Sequence, residues 1–232
     1  RLARLVQFKK KDREDSTMKL GIYGAGGLGR EVLVLAQIIE ENQKRWSDIY
    51  FIDDVNPGRE LKGVPVLDFD TAKKIENIEI VIAVGEPRIR VLLAEKVKSA
   101  ELTLATLIHP DIRLTACTSI GNGVVLCKNA FLSCDVILGD NVFLQPTSSL
   151  GHDVVVGENS IISTFVTLGA NCQIRSGTFI GMSASVKEGT IIGDNTIISM
   201  GSIVMKNIEN DVIALGNPAR VMRRNEGNGV FH

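Results

Sequence analysis

Three histidines occur in the 232-residue chain, and His152 has an acidic residue, Asp153, directly after it. An imidazole takes a proton from an attacking hydroxyl or ammonium group when one ring nitrogen is free and the other is held. Asp153 is placed to hold it and so to fix the tautomer. A solvent-exposed histidine at a turn explains the same two residues equally well. His109, in Ile108-His109-Pro110, is expected to be structural, and His232 ends the chain. A second chemical signal is Gly24-Ala25-Gly26-Gly27-Leu28-Gly29. Its amides suit a pyrophosphate if a strand precedes it and a helix follows, although a tight structural turn would use the same glycines. Asp53 and Asp54 stand at a second strand end, where Asp53 can accept from a ribose or a base. Cys117, Cys127, Cys134 and Cys172 form no CxxC pair and have no histidine at zinc-finger spacing. They read as reduced thiols of a cytoplasmic protein, with no metal site.

These residues need elements to position them. Lys19 to Tyr23 reads as a strand running into the glycines, and Arg30 to Trp46 as the helix after them. Ile49 to Ile52 is a second strand. Ile78 to Val84 is a third, closed by Gly85. Pro87 to Ser99 is a helix with proline at its start, and Leu102 to Leu107 is a last strand. Strands alternating with helices predict a small Rossmann-like parallel α/β domain over 18–107. Residues 1–17 are basic and lack the apolar core of a signal peptide, so they read as a leader or tag before Met18.

Beyond residue 107 the pattern changes. Every sixth residue from Ile108 to Val204 is Leu, Ile or Val, seventeen in succession. Chance would give such a run about once in 10^5 if half of all residues were apolar. The residue four places after each is small or β-branched. Glycine often follows the aliphatic directly, as at Gly139, Gly151, Gly157, Gly169 and Gly181, and reads as the residue that lets the chain turn. A period of six matches neither a helix nor an ordinary strand. It predicts short strands joined by corners, three to a coil of 18 residues, hence an all-β left-handed parallel β-helix over 108–206 and a tail over 207–232. Aromatics are scarce at 5%, as a core of small aliphatics requires.

The net charge is −1. That leaves no basic footprint for nucleic acid or an acidic membrane, and no apolar run reaches the roughly 18 residues of a membrane span.

Gly24 to Val32, Phe51-Ile52-Asp53-Asp54, Gly63 to Leu67, Ala83-Val84-Gly85, Ile108-His109-Pro110 and Gly216-Asn217-Pro218-Ala219-Arg220 together give a resemblance. The chain resembles the sialic acid O-acetyltransferase and nucleotide-amino-sugar N-acetyltransferase family of hexapeptide-repeat β-helix proteins. The resemblance implies acetyl-CoA as co-substrate, bound by the β-helix of a homotrimer with active sites between subunits. It implies a nucleotide-sugar or sialic acid bound by the first domain through Gly24, Ala25, Gly26, Gly27, Asp53, Asp54 and Gly85. It makes His152 the base, with Asp153 orienting it.

One coil above the histidine lie Gly169 and Ala170, whose amides can meet a developing oxyanion, although an ordinary glycine corner explains them equally well. Gly181, Met182 and Met200 stack on another corner and are expected beside the pantetheine, although an apolar contact between subunits explains the methionines equally well. Gly216, Asn217, Pro218 and Ala219 in the tail are expected beside the pantetheine too. The family often has histidine where this chain has Leu28 and Ile161, which leaves amine and hydroxyl acceptors both open. A NAD-dependent oxidoreductase using the glycine loop and a non-catalytic β-helix binding module are the alternatives.

Overall fold

The computed structural model describes residues 18–226 together with Gly229 and Val230. The leader expected over 1–17 and His232 lie outside the described residues.

The first unit runs β1 (Lys19–Tyr23), α1 (Gly27–Gln43), β2 (Asp48–Ile52), β3 (Arg59–Leu61), β4 (Val64–Leu67), α2 (Phe69–Ala72), β5 (Ile78–Ile82), α3 (Pro87–Ser99) and β6 (Thr103–Leu104). Its six strands lie in the order β3-β4-β2-β1-β5-β6. All neighbours are parallel except β3 and β4, which form an antiparallel pair. All five residues of β5 are buried, as a central parallel strand requires. The chain leaves β1 for β2 on one side and later returns to β5 on the other. The C-terminal ends of β1 and β5 therefore form the switch point at which open α/β sheets bind ligands.

Boundaries moved where loop geometry outweighs propensity. The helix expected from Arg30 to Trp46 spans Gly27–Gln43. Two of the loop glycines form its first turn, and Lys44 ends it in the left-handed region at φ 50°. The strand expected over Leu102 to Leu107 divides. β6 joins the first sheet, while Leu107–Ile108 pairs with Val125–Leu126 of the next unit. The short β3, β4 and α2 give no periodic signal, and α2 is held by its cap, Asp68 accepting from Thr71 N–H.

The second unit is a three-sided parallel β-helix. Pairs of strand residues stack in registers of 18, such as Phe131 on Ser149 and Thr167 on Ser185. One face holds strands 131–132 to 203–204, and a second holds 119–120 to 191–192. The third face runs from 107–108 to 197–198 and gains a rung from Val212–Gly216, which turns back antiparallel as Ala219–Arg224. The aliphatic column is buried from Leu126 to Val204, with the small-residue column beside it.

The column does not hold at its start. Leu114 was expected inward and is 38% exposed, in a stretch without strand. The first coil has a neighbouring coil on one side only, so among the described residues no further coil closes over it.

The corner glycines also do a different job from the one expected. The residues that turn the chain stand three places after the aliphatic, and all fourteen from Gly123 to Gly201 have positive φ. Four are glycine, and most of the rest are Asn or Asp, which tolerate that region. The glycines directly after the aliphatic face the next coil instead. A Cβ on Gly151 would meet Ala170 N at 2.7 Å, and one on Gly139 would meet Glu158 N at 2.7 Å.

The two units share a core. Val125, Phe143 and Ile161 point outward from the third face, yet they are buried in one cluster with Val32, Leu35 and Ile39 of α1. Isoleucine at 161 therefore serves the junction between units.

Candidate active site

At the switch point a cavity of about 430 Å³ opens between Gly24, Gly26, Gly27, Leu28 and Glu31 on one side and Ala83, Val84 and Gly85 on the other. Gln145, from the β-helix edge between the third and first faces, completes it. Local chain geometry explains the glycines. Gly24 has φ 121°, and a Cβ there would lie 2.6 Å from Ala83 O. A Cβ on Gly29 would strike Gly24 O, so this glycine lets the helix close on the strand. Gly26, the cap of α1, offers no side chain to its first amides, which leaves them as donors for an anion.

Asp53 and Asp54 are not among the residues lining that cavity. Asp53 accepts from the amides of Val55 and Asn56 and pairs with Arg59 at 2.8 Å. Burial by itself pushes the carboxyl up, but these bonds outweigh it and hold it below its usual range. Asp54 accepts from Tyr23 Oη, Lys96 Nζ and Phe69 N–H, and it too titrates low despite burial. Burial, with the bond to Asp54, pushes the Tyr23 hydroxyl up to about 12.

His152 stands on the edge between the first and second faces, with its side chain 54% exposed. Its Nδ1 lies 2.6 Å from Asp153 Oδ2. Asp153 is the turn residue of that corner, at φ 58°, so the fold itself sets the carboxylate beside the ring. One coil on, Gly169 N–H donates to Val186 O and Asn171 N–H to His152 O. Between them, Ala170 N–H has no partner among the described residues. Of the two expected amides, Gly169 is spent in the ladder and Ala170 is the available donor.

The remaining expected residues lie elsewhere. Gly181, Met182 and Met200 are on the edge that carries Gln145, with both methionines exposed. Gly216, Asn217, Pro218 and Ala219 form the turn of the terminal hairpin, which includes a cis Asn217–Pro218 bond. Within one chain these groups are not brought to His152. His109 is buried at the junction, and its Nδ1 accepts from Asp111 N–H.

Two side chains were missed in the sequence. Gln145 occupies a corner, and nothing in the repeat marks it. Arg90 is completely buried at the junction of the units. Its signal was its place on α3, three residues after buried Pro87 and seven before buried Val97. Burial pulls the guanidinium down to about 9, which still leaves it charged at neutral pH.

No group of three or more potential metal ligands exists among the described residues, and no helix there is long and apolar enough to cross a membrane. Cys172 is buried, and burial pushes the partly buried Cys127 thiol up to about 12. Brief iodoacetamide treatment of the native protein at pH 8 is expected to modify exposed Cys117 and spare Cys127 and Cys172, read by peptide mass spectrometry.

A glycine-lined crevice at the sheet's switch point, a six-residue repeat and an edge histidine mark a left-handed β-helix transferase of the hexapeptide type. The PglD N-terminal domain matches residues 19–97, and the bacterial transferase hexapeptide repeat matches 135–170 and 171–206. The chain belongs to the hexapeptide-repeat sugar acetyltransferases that carry a PglD N-terminal domain. Among solved structures, the acetyltransferase domain of PglB from Neisseria gonorrhoeae FA1090 in complex with acetyl coenzyme A is similar. It has a TM-score of 0.82 and 28% identity, over 89% of this chain and 100% of that one. WeeI from Acinetobacter baumannii AYE follows, with a TM-score of 0.81 and 26% identity over the same shares. PerB from Caulobacter crescentus, in complex with CoA and GDP-perosamine, shares the fold at a TM-score of 0.75 and 23% identity, over 88% of this chain and 97% of that one. No curated protein sequence matches the chain.

Proposed function

We propose that the chain transfers the acetyl group of acetyl-CoA to the amine of a nucleotide-linked amino sugar. The observation that carries this reading is the His152–Asp153 pair, 2.6 Å apart on an exposed edge beside the free Ala170 amide. With Nδ1 facing the carboxylate, Nε2 is left to accept a proton. The sugar amine attacks the thioester carbonyl as His152 takes its proton. Ala170 N–H steadies the oxyanion. Collapse breaks the carbon–sulfur bond, and the departing thiolate takes the proton back from the imidazolium. The likeness to the acetyl-CoA complex of PglB supports the donor.

The cavity at the switch point supports the acceptor. Amides at the start of α1 suit the diphosphate, and Gln145 faces the sugar end. Asp53 and Asp54, already bonded within the first domain, position that domain's loops in this reading. Because His152 and the cavity lie on different edges of one prism, the reaction takes place between protomers of a homotrimer. There Gly181, Met182 and Met200 of one protomer and the Gly216–Ala219 turn line the pantetheine arm that reaches the next protomer's histidine.

The reading is tested by assaying purified protein for thiol release from acetyl-CoA with UDP-, GDP- and dTDP-linked 4-amino sugars and their 4-hydroxy counterparts. Turnover with an amino sugar is expected. Turnover confined to the hydroxy sugars, or thermal protection by NADH but not by acetyl-CoA, overturns it.

Asp153 permits a cleaner test of the pair. Asparagine keeps the left-handed turn and loses the carboxylate, so Asp153→Asn should leave Tm unchanged while kcat falls about tenfold, modest because the pair is half-exposed. Alanine at this φ adds about 1 kcal/mol of strain, so Asp153→Ala should lower Tm as well. Equal kcat in Asp153→Asn and the parent would remove Asp153 from the chemistry.

A further inference from the structure

Arg90 is buried without a carboxylate partner among the described residues, an arrangement that costs stability unless its donors are met by other groups. They are met by oxygens of two different units. Nη1 donates to Ile82 O at 2.8 Å and Val84 O at 3.2 Å, at the end of β5 and in the loop after it. Nη2 donates to Asn141 O and Asn141 Oδ1, both at 2.5 Å, on the β-helix edge between the second and third faces. The guanidinium lies 5.5 Å from the centre of the Phe143 ring. Its Nε has no partner among the described residues. Asn141 is itself fixed, since its Nδ2 donates to Asn159 Oδ1 one coil on at 2.8 Å.

The oxygens that Arg90 joins belong to the two units that line one cavity: Val84 is in the lining itself, and Asn141 lies on the β-helix that supplies Gln145. Ala83, Val84 and Gly85 form one wall, and Gly24 packs against Ala83. Gln145, which completes the cavity from the β-helix, follows Asn141 by one strand of the same coil. A planar fork with several donors can bridge such a set, and a lysine ammonium cannot.

We propose that Arg90 and Asn141 form a clamp that sets the Val84–Gly85 loop, and with it the glycine loop, at a fixed spacing from Gln145. Arg90 is thus a positioning residue for the nucleotide-sugar half of the reaction, an assignment that rests on the function proposed above. The clamp does not touch the His152 edge, so the acetyl-CoA half should not feel it.

The test uses Arg90→Met, which removes the fork at similar volume, and Asn141→Ala, which removes the side-chain amide, Oδ1 to Arg90 and Nδ2 to Asn159, and places alanine at φ 57°. Both should raise KM for the nucleotide-sugar at least tenfold and leave KM for acetyl-CoA within twofold. The double variant should be no worse than Arg90→Met. Without substrate, hydrogen exchange should accelerate at residues 83–86 and 24–27 while the strands of the first and second faces keep their protection. Should Arg90→Met fail to fold, Asn141→Ala carries both readouts. Equal rises in the two KM values, or unchanged exchange at 83–86, overturns the clamp. A parent enzyme inert toward every nucleotide-sugar would count against the proposed function, and the exchange measurement would still decide the clamp.

Discussion

Replacing His152 with alanine should lower kcat by a factor of roughly 10^2 to 10^4, the range a positioned general base contributes. Folding should be untouched. The side chain is 54% exposed, and its one polar partner, Asp153, is half-exposed as well. The variant should therefore melt with the parent, elute with it on gel filtration and bind acetyl-CoA with similar affinity. His152→Gln serves as a control, because an amide retains a hydrogen-bond acceptor of similar reach but takes no proton. If the imidazole acted only by shape or hydrogen bonding, glutamine would restore much of the rate. Loss in both variants with an unchanged acetyl-CoA KM identifies proton transfer, whereas a kcat within threefold of the parent in His152→Ala removes the histidine from the mechanism.

How much of this was legible in the sequence depends on what each residue answers to. The six-residue period of Leu, Ile and Val is enforced by every coil on the next, so the β-helix could be read directly. The pairing of His152 with Asp153 was legible because both lie at one corner, two and three residues after the inward Leu150. The function of the corner glycines was misread because a missing side chain has two causes, a left-handed turn or a near neighbour, and spacing does not distinguish them. Only the stacked backbone does, with Ala170 N against Gly151. Gln145 and Arg90 were hidden for another reason. Each owes its place to contacts between the two units, and no local pattern encodes a docking that joins Val84 to Asn141. Asp53 and Asp54 looked like ligands for a nucleotide, yet within the chain their oxygens are met by Arg59, Lys96, Tyr23 and nearby amides.

That ambiguity of the glycines yields the second large effect. Gly151→Ala adds one methyl group, and the three nearest atoms it meets are all backbone of the next coil: Ala170 N at 2.7 Å, then Ala170 Cα and Gly169 C at 3.0 Å. No side chain can swing aside, so the coils must part at that edge. The flanking bonds, Gly151 N–H to Leu168 O and Asn171 N–H to His152 O, would lengthen together. A cost of about 3 kcal/mol is expected, at the upper end for an overfilled interior. Gly189 is the contrasting case. It has φ 68° and no atom within 4 Å of an added Cβ, so alanine there meets only the left-handed penalty, about 1 kcal/mol, and asparagine less. Urea unfolding of the three variants separates the two causes: Gly151→Ala falls furthest and Gly189→Asn stays near the parent. Similar losses in Gly151→Ala and Gly189→Ala would mean that the stack yields where it is expected to be rigid. The same parting of the coils moves Ala170 N–H away from His152, so Gly151→Ala should also lose activity at temperatures where it remains folded, and Gly189→Asn should not.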